Sequence, residues 1–138
     1  MLEKRKGIPS LKGYYKSNIG RVFRYDSMTE LAMMMHFDSM SFIWQKNTAL
    51  RIPYLFEGKI RHYIPDFIVK ERDRTSIIEI KGSNDKPELP FKCKAAEDYC
   101  KENNMRFALV PYLEVKALVD WNKVREYHYT NVGKINSK

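Results

Sequence analysis

The sequence predicts one mixed α/β domain, a central β-sheet with helices on its faces. Three observations lead there. Residues 61–69 and 76–82 are β-branched, apolar runs around a charged turn at 70–75, the pattern of a β-hairpin. The elements follow the order helix, three strands, helix, strand, helix. The last strand comes after a crossover helix, so it joins the sheet parallel to the strand before that helix. A chain of 138 residues suits one compact domain.

The elements can be justified in order. Residues 1–24 contain Gly7, Pro9, Gly13 and Gly20 amid charge and read as a basic N-terminal arm, with a short hairpin over 13–25 turning near 18–20. Residues 25–130 read as the folded domain. Ser27 is the expected N-cap of a helix, with Glu30 three residues on as in a capping box. The run at 31–37 is rich in Leu, Ala and Met, which predicts a buried helix ending near Asp38 or Ser39 and extended or kinked through 41–45. Residues 48–56 read as a strand whose Pro53 favours an edge. A turn at 57–59 leads to a strand over 60–69, and the charged turn to a strand over 76–81. The first three strands are expected to form an antiparallel meander. After a polar loop at 82–90, residues 91–103 show helical spacing of Phe91, Ala95, Ala96 and Tyr99. Residues 106–111 read as a short strand, 114–125 as a helix and 131–138 as a loose tail.

The net charge is +8, and it is unevenly spread. Lys4, Arg5, Lys6, Lys12, Lys16, Arg21 and Arg24 face only Glu3 within the first 24 residues. With Tyr14, Tyr15, Phe23 and Tyr25 interleaved, this segment fits a polyanion such as DNA. Cys93 and Cys100 lie two helical turns apart, too far for a disulfide, and no paired CxxC points to zinc. Reduced, buried thiols point to a cytoplasmic protein. No run has transmembrane length and no apolar signal core opens the chain.

The charges in the central hairpin carry the chemistry. Period-two alternation puts Glu79 and Lys81 on one face of their strand, and strand pairing brings Asp66 near Glu79. Two acids and a lysine on one face suit a divalent cation with a phosphate. The backbone carbonyl of Ile80 can add a third oxygen, and Glu30 another carboxylate. Glu30 equally fits a purely capping role.

Pro65-Asp66 followed by Glu79-Ile80-Lys81 across a short hairpin resembles the signature of the PD-(D/E)XK nuclease superfamily. The helix acid Glu30, Gly58-Lys59, the Arg61-His62-Tyr63 run and Gly82 resemble its small phage-type members: junction resolvases, transposase nuclease subunits, head-completion nucleases and homing endonucleases. The resemblance spans roughly residues 25–110. It implies a restriction-endonuclease-like core and Mg2+-dependent hydrolysis of DNA, with Mn2+ able to substitute. Asp66, Glu79, Ile80 and Glu30 would hold metal, and Lys81 would be the catalytic lysine. Lys59, Arg61 and His62 are expected to contact DNA. Double-strand cleavage would call for a homodimer or a partner protein in a DNA-processing complex. A phage-encoded protein would work in the host cytosol. A catalytically silent nucleic-acid-binding subunit with the same fold is the alternative, and the intact set of acids and lysine argues against it. Lys92 and Lys94 are further candidates to face substrate. His36 and the methionine cluster read as packing, and His128 has no evident partner.

Overall fold

The expected hairpin lies at the centre of a four-stranded sheet of order β3-β6-β7-β8. The computed structural model describes residues 11–82 and 86–136. Lys4, Arg5 and Lys6 lie outside the described residues. Strands β3 (Ile43–Lys46), β6 (Phe67–Glu71) and β7 (Arg74–Lys81) pair antiparallel. Strand β8 (Arg106–Pro111) adds parallel to β7, as the crossover predicts. The fold is therefore a mixed sheet flanked by helices, consistent with a restriction-endonuclease-like core.

The first helix, α1 (Met28–Ser39), starts as expected. Ser27 Oγ accepts from Glu30 N at 3.1 Å, and Glu30 Oε1 reaches back to Asp26 N at 2.8 Å. Leu31, Ala32, Met33, Met34 and Phe37 are buried, so the helix is a core element. The expected extension through 41–45 does not occur. Ser41 adopts φ +61°, the chain reverses, and residues 43–46 form β3 with Trp44 buried. A short amphipathic strand carries no helix stop of its own, and the left-handed serine supplies the break.

The expected three-strand meander is also corrected. Strands β4 (Ile52–Phe56) and β5 (Lys59–Tyr63) form a separate two-stranded ribbon. Residues 60–69 are not one strand, because the chain leaves β5 before Pro65, which has no N–H for a ladder. The part of the arm within the described residues is a hairpin. Strands β1 (Gly13–Lys16) and β2 (Val22–Tyr25) pair, with Tyr15, Phe23 and Tyr25 buried in the core and Tyr14, Lys16 and Arg24 facing out. Tyr25 is held by a 2.6 Å hydrogen bond to His128 Nδ1, the partner that the sequence left unnamed. The approach is so close that a side chain at Gly13 would meet the Tyr25 ring.

Helix α2 (Leu89–Glu102) is the crossover. The expected helix at 114–125 is two, α3 (Tyr112–Leu118) and α4 (Trp121–Asn136), and residues 131–136 of the expected tail continue α4. Two apolar clusters sandwich the sheet. One joins Phe67, Val69 and Ile78 to α1, α3, α4 and the β1–β2 hairpin. The other joins Ile77 to Ile52, Tyr54 and Tyr63 of the ribbon and Ala96 and Cys100 of α2. Among the described residues, no helix is long and apolar enough to cross a membrane.

Candidate active site

The site lies where β6 begins and β7 ends. Phe67 pairs with Ile78, so one further step along the register sets Asp66 across from Glu79. Both project from the sheet face that carries Ile77, since side chains alternate along a strand. Asp66 N donates to Glu79 Oε1 at 3.1 Å, and Ile80 N donates to Asp66 Oδ2 at 2.8 Å. The Glu79 carboxylate is thus fixed by the Asp66 backbone, and the Asp66 carboxylate by the backbone of Ile80.

Both acids are half-buried and titrate above their ordinary range. Burial is the main cause for Asp66, with the charge of Glu30 adding to it, while the Ile80 N–H opposes the rise. For Glu79 burial again leads, followed by the charge of Asp66, and the Tyr63 hydroxyl bond works against the rise. The Tyr63 phenol is pushed far up by burial and by the negative charge of Glu79, so it stays a neutral donor. Both shifts favour a pair that shares a proton over two bare carboxylates.

Asp66, Glu79, Ile80 and Lys81 line one cavity of about 620 Å3, with Glu30 on its wall. The first turn of α1 brings Glu30, the start of α2 brings Leu89 and Lys92, and the segment just before α2 brings Lys86. The expected quartet Glu30, Asp66, Glu79 and Lys81 therefore shares one cavity. Glu30 both completes the cap of α1 and lines this cavity, and its carboxylate is engaged. Its Oε1 accepts from Asp26 N and from Lys46 Nζ at 3.2 Å.

The other expected residues fare differently. Lys59 and His62 are exposed on β5. His62 is cross-strand from Pro53, so it does not share a strand with Asp66 as the sequence suggests. Arg61 is paired with Glu88 at 2.9 Å and lies over the Phe56 ring. None of these three lines the cavity. Lys12, Lys16, Arg21 and Arg24 are exposed on or beside the β1–β2 hairpin, with Arg24 paired to Asp26. Lys92 lines the cavity with its ammonium 5.7 Å from the Tyr63 ring centroid, whereas Lys94 pairs with Asp98 on exposed helix surface.

Three site-building residues escape the sequence reading. Tyr63 reads as an ordinary aromatic strand residue, yet its phenol lies where it interacts with the charge of Glu79. Lys46 lies in the strand that the sequence misses. Asn47 follows it, buried, and its Nδ2 donates to the carbonyls of Pro65 and Leu50 at 3.0 Å each, while its own N–H donates to Asp66 O at 2.9 Å. It fixes the turn that aims Asp66. Only the alternation of the 43–46 segment hints at a strand there.

Among the described residues, no group of three or more His, Cys, Asp and Glu is gathered tightly enough to hold a metal by itself. The donor set is two carboxylates held in hydrogen-bonding contact, with mutual repulsion that a cation would relieve. That chemistry fits Mg2+, which commonly takes one or two carboxylates and keeps water for the remaining positions.

A mixed sheet with an acid opening one hairpin strand and Glu-Ile-Lys closing the other defines a PD-(D/E)XK nuclease fold. Residues 41–111 match the family model of the TnsA-like endonuclease N-terminal domain, and the chain belongs to that family. The match runs from just before β3 to the end of β8, so it takes in Asp66, Glu79 and Lys81 and leaves Glu30 outside. No curated protein matches the chain.

Proposed function

We propose that the protein is a divalent-metal-dependent endodeoxyribonuclease, using Mg2+ or Mn2+, that hydrolyses DNA phosphodiester bonds in the processing of mobile-element or phage DNA. The observation that carries this reading is the Asp66–Glu79 pair, two acids pressed together beside Lys81 in one cavity. The family supports a nuclease-fold role in DNA processing, and its TnsA-like members make transposition the favoured process.

Asp66 and Glu79 would hold the cation, with the Ile80 carbonyl as a further oxygen. When bound, the cation supplies Lewis-acid stabilisation of the phosphate and a lowered pKa for water. The buried Tyr63 hydroxyl, close enough to Glu79 to be affected by its charge, is a neutral neighbour of that carboxylate. Ile80 N–H keeps Asp66 oriented by donating to its carboxylate. Lys81 stabilises negative charge developing on the phosphate oxygens. Lys86 and Lys92 on the cavity wall make it attractive to a phosphate backbone. The outward faces of the β1–β2 hairpin and β5 offer Lys16, Arg24, Lys59 and His62 as backbone contacts away from the chemistry. One site cuts one strand, so double-strand cleavage requires a second copy or a nuclease partner.

The test is to incubate the protein with supercoiled, linear, single-stranded and four-way-junction DNA, with Mg2+ or EDTA, beside Asp66→Ala and Lys81→Ala. Cleavage by the wild type with Mg2+ alone, and DNA binding without cleavage by the variants, is expected. Equal behaviour of all three proteins with Mg2+ defeats the reading.

A further inference from the structure

The ammonium of Lys46 has three acceptors around it. It lies 2.8 Å from Arg24 O, 2.9 Å from Asp26 Oδ2 and 3.2 Å from Glu30 Oε1. Three donors meeting three acceptors leaves the group fully used. Its side chain retains 19% exposure and that of Glu30 18%, so this contact is shielded from water more than a surface ion pair is. The three bonds hold the ammonium in one place.

That place matters because of what lies on either side. Lys46 ends β3 and is cross-strand from Phe67, the residue after Asp66. The next residue, Asn47, holds the Pro65–Asp66 turn. On the other side, Glu30 lies on the wall of the cavity that contains Asp66 and Glu79, and its charge is felt by Asp66. Lys46 also binds the backbone at the end of β2 through Arg24 O. One side chain therefore joins the N-terminal hairpin, the first turn of α1 and the strand beside the acidic pair.

We propose that Lys46 is a positioning residue that fixes the Glu30 carboxylate on the cavity wall, beside the divalent cation that Asp66 and Glu79 would hold. The inference rests on the metal-dependent reading of that site. Glu30 shares the cavity wall with the pair, so its fixed orientation would bear on how firmly a cation is held there. Outer partners of this kind tune metal affinity, and their loss weakens it about 10–100-fold. Without Lys46, Glu30 would keep only its bond to Asp26 N and be free to swing from the wall.

The test is Mn2+ binding to the intact protein without DNA, by titration calorimetry, for wild type, Lys46→Met, Lys46→Arg and Glu30→Gln, with thermal melting of each. Lys46→Met is expected to weaken Mn2+ binding about tenfold. Lys46→Arg is expected to restore it to within about threefold, since a guanidinium can keep the bond to Glu30. Glu30→Gln should weaken binding as much as Lys46→Met, and the double variant no further. A Lys46→Met protein that melts lower but binds Mn2+ like wild type would show a packing role only and overturn the proposal. Tighter binding in Lys46→Met would identify Lys46 as a repelling charge and overturn it as well. If the wild type binds Mn2+ with this pattern yet cuts no DNA, the nuclease reading fails and the positioning role stands. A wild type that binds no Mn2+ sinks both.

Discussion

The two ends of the β6–β7 hairpin differ in everything except the strands they share. One end holds Asp66 and Glu79 in contact with each other in a cavity of about 620 Å3. The other is the turn, where Lys70, Arg72, Asp73 and Arg74 with Arg106 border a larger cavity of about 800 Å3. Those turn charges are exposed, whereas both acids at the opposite end are half-buried and displaced upward. Size does not mark the site. What distinguishes the acid end is like charge held together under partial burial, a state that persists only because the surrounding structure imposes it.

The largest effects should separate the ends. Asp66→Asn or Lys81→Ala is expected to lower the Mg2+-dependent cleavage rate about 10²–10³-fold or more, while Arg72→Ala at the turn stays within about twofold, measured as single-turnover nicking of supercoiled DNA. Comparable losses at both ends would erase the distinction. Next comes the scaffold. Asn47→Ala should destabilise the protein by about 1–3 kcal/mol in urea unfolding, because it strands the Pro65 and Leu50 carbonyls and loosens the turn under Asp66.

A subtler effect concerns pH. Glu79 has its folded pKa raised above its ordinary value of 4.5, so the folded state holds the proton more tightly than the unfolded chain. Stability from this group is full at acid pH and is lost as pH rises from about 4.5 through the raised pKa. Glu79→Gln should therefore stabilise the metal-free protein at pH 8 by on the order of 1–2 kcal/mol while abolishing cleavage. A variant that melts lower than wild type at pH 8 would deny the strain between the acids. The smallest effect is on DNA affinity. Neutralising Lys16 and Arg24 on the outer hairpin face should flatten the salt dependence of binding by about one to two phosphate contacts, with the cleavage rate of bound DNA unchanged.

Much of the site is legible in the sequence because its logic is local. Asp66 and Glu79 flank a short turn, and period-two alternation alone puts Lys81 with Glu79. The capping box at Ser27 and Glu30 is local too, and it places the helix acid at the right end of α1. The residues that escaped act at a distance. Lys46 reaches Asp26 and Glu30 from 20 and 16 residues away, and Asn47 reaches Pro65 across 18. Nothing in a four-residue strand such as Ile-Trp-Gln-Lys announces those partners. The ribbon shows the same limit. Strands β4 and β5 read correctly as a hairpin, but whether the chain continues straight into β6 depends on a break before Pro65 that tertiary packing sets. The basic segment shows the limit in another way. Its outward charges were visible, while the inward Tyr15, Phe23 and Tyr25 that bury this hairpin needed partners on α4 and β3 to be recognised.

On the proposed function, the Asp66–Glu79 pair would take up a cation in exchange for the proton that their raised pKa values favour. The most direct measurement is the uptake of Mn2+ by the DNA-free protein near pH 7, with released protons counted from calorimetry in two buffers of different ionisation enthalpy. Binding to the wild type should release a proton, and Asp66→Asn and Glu79→Gln should each lose both the tight binding and the release. Mn2+ bound with equal affinity and no proton release by wild type and both variants would place the cation elsewhere and contradict the account.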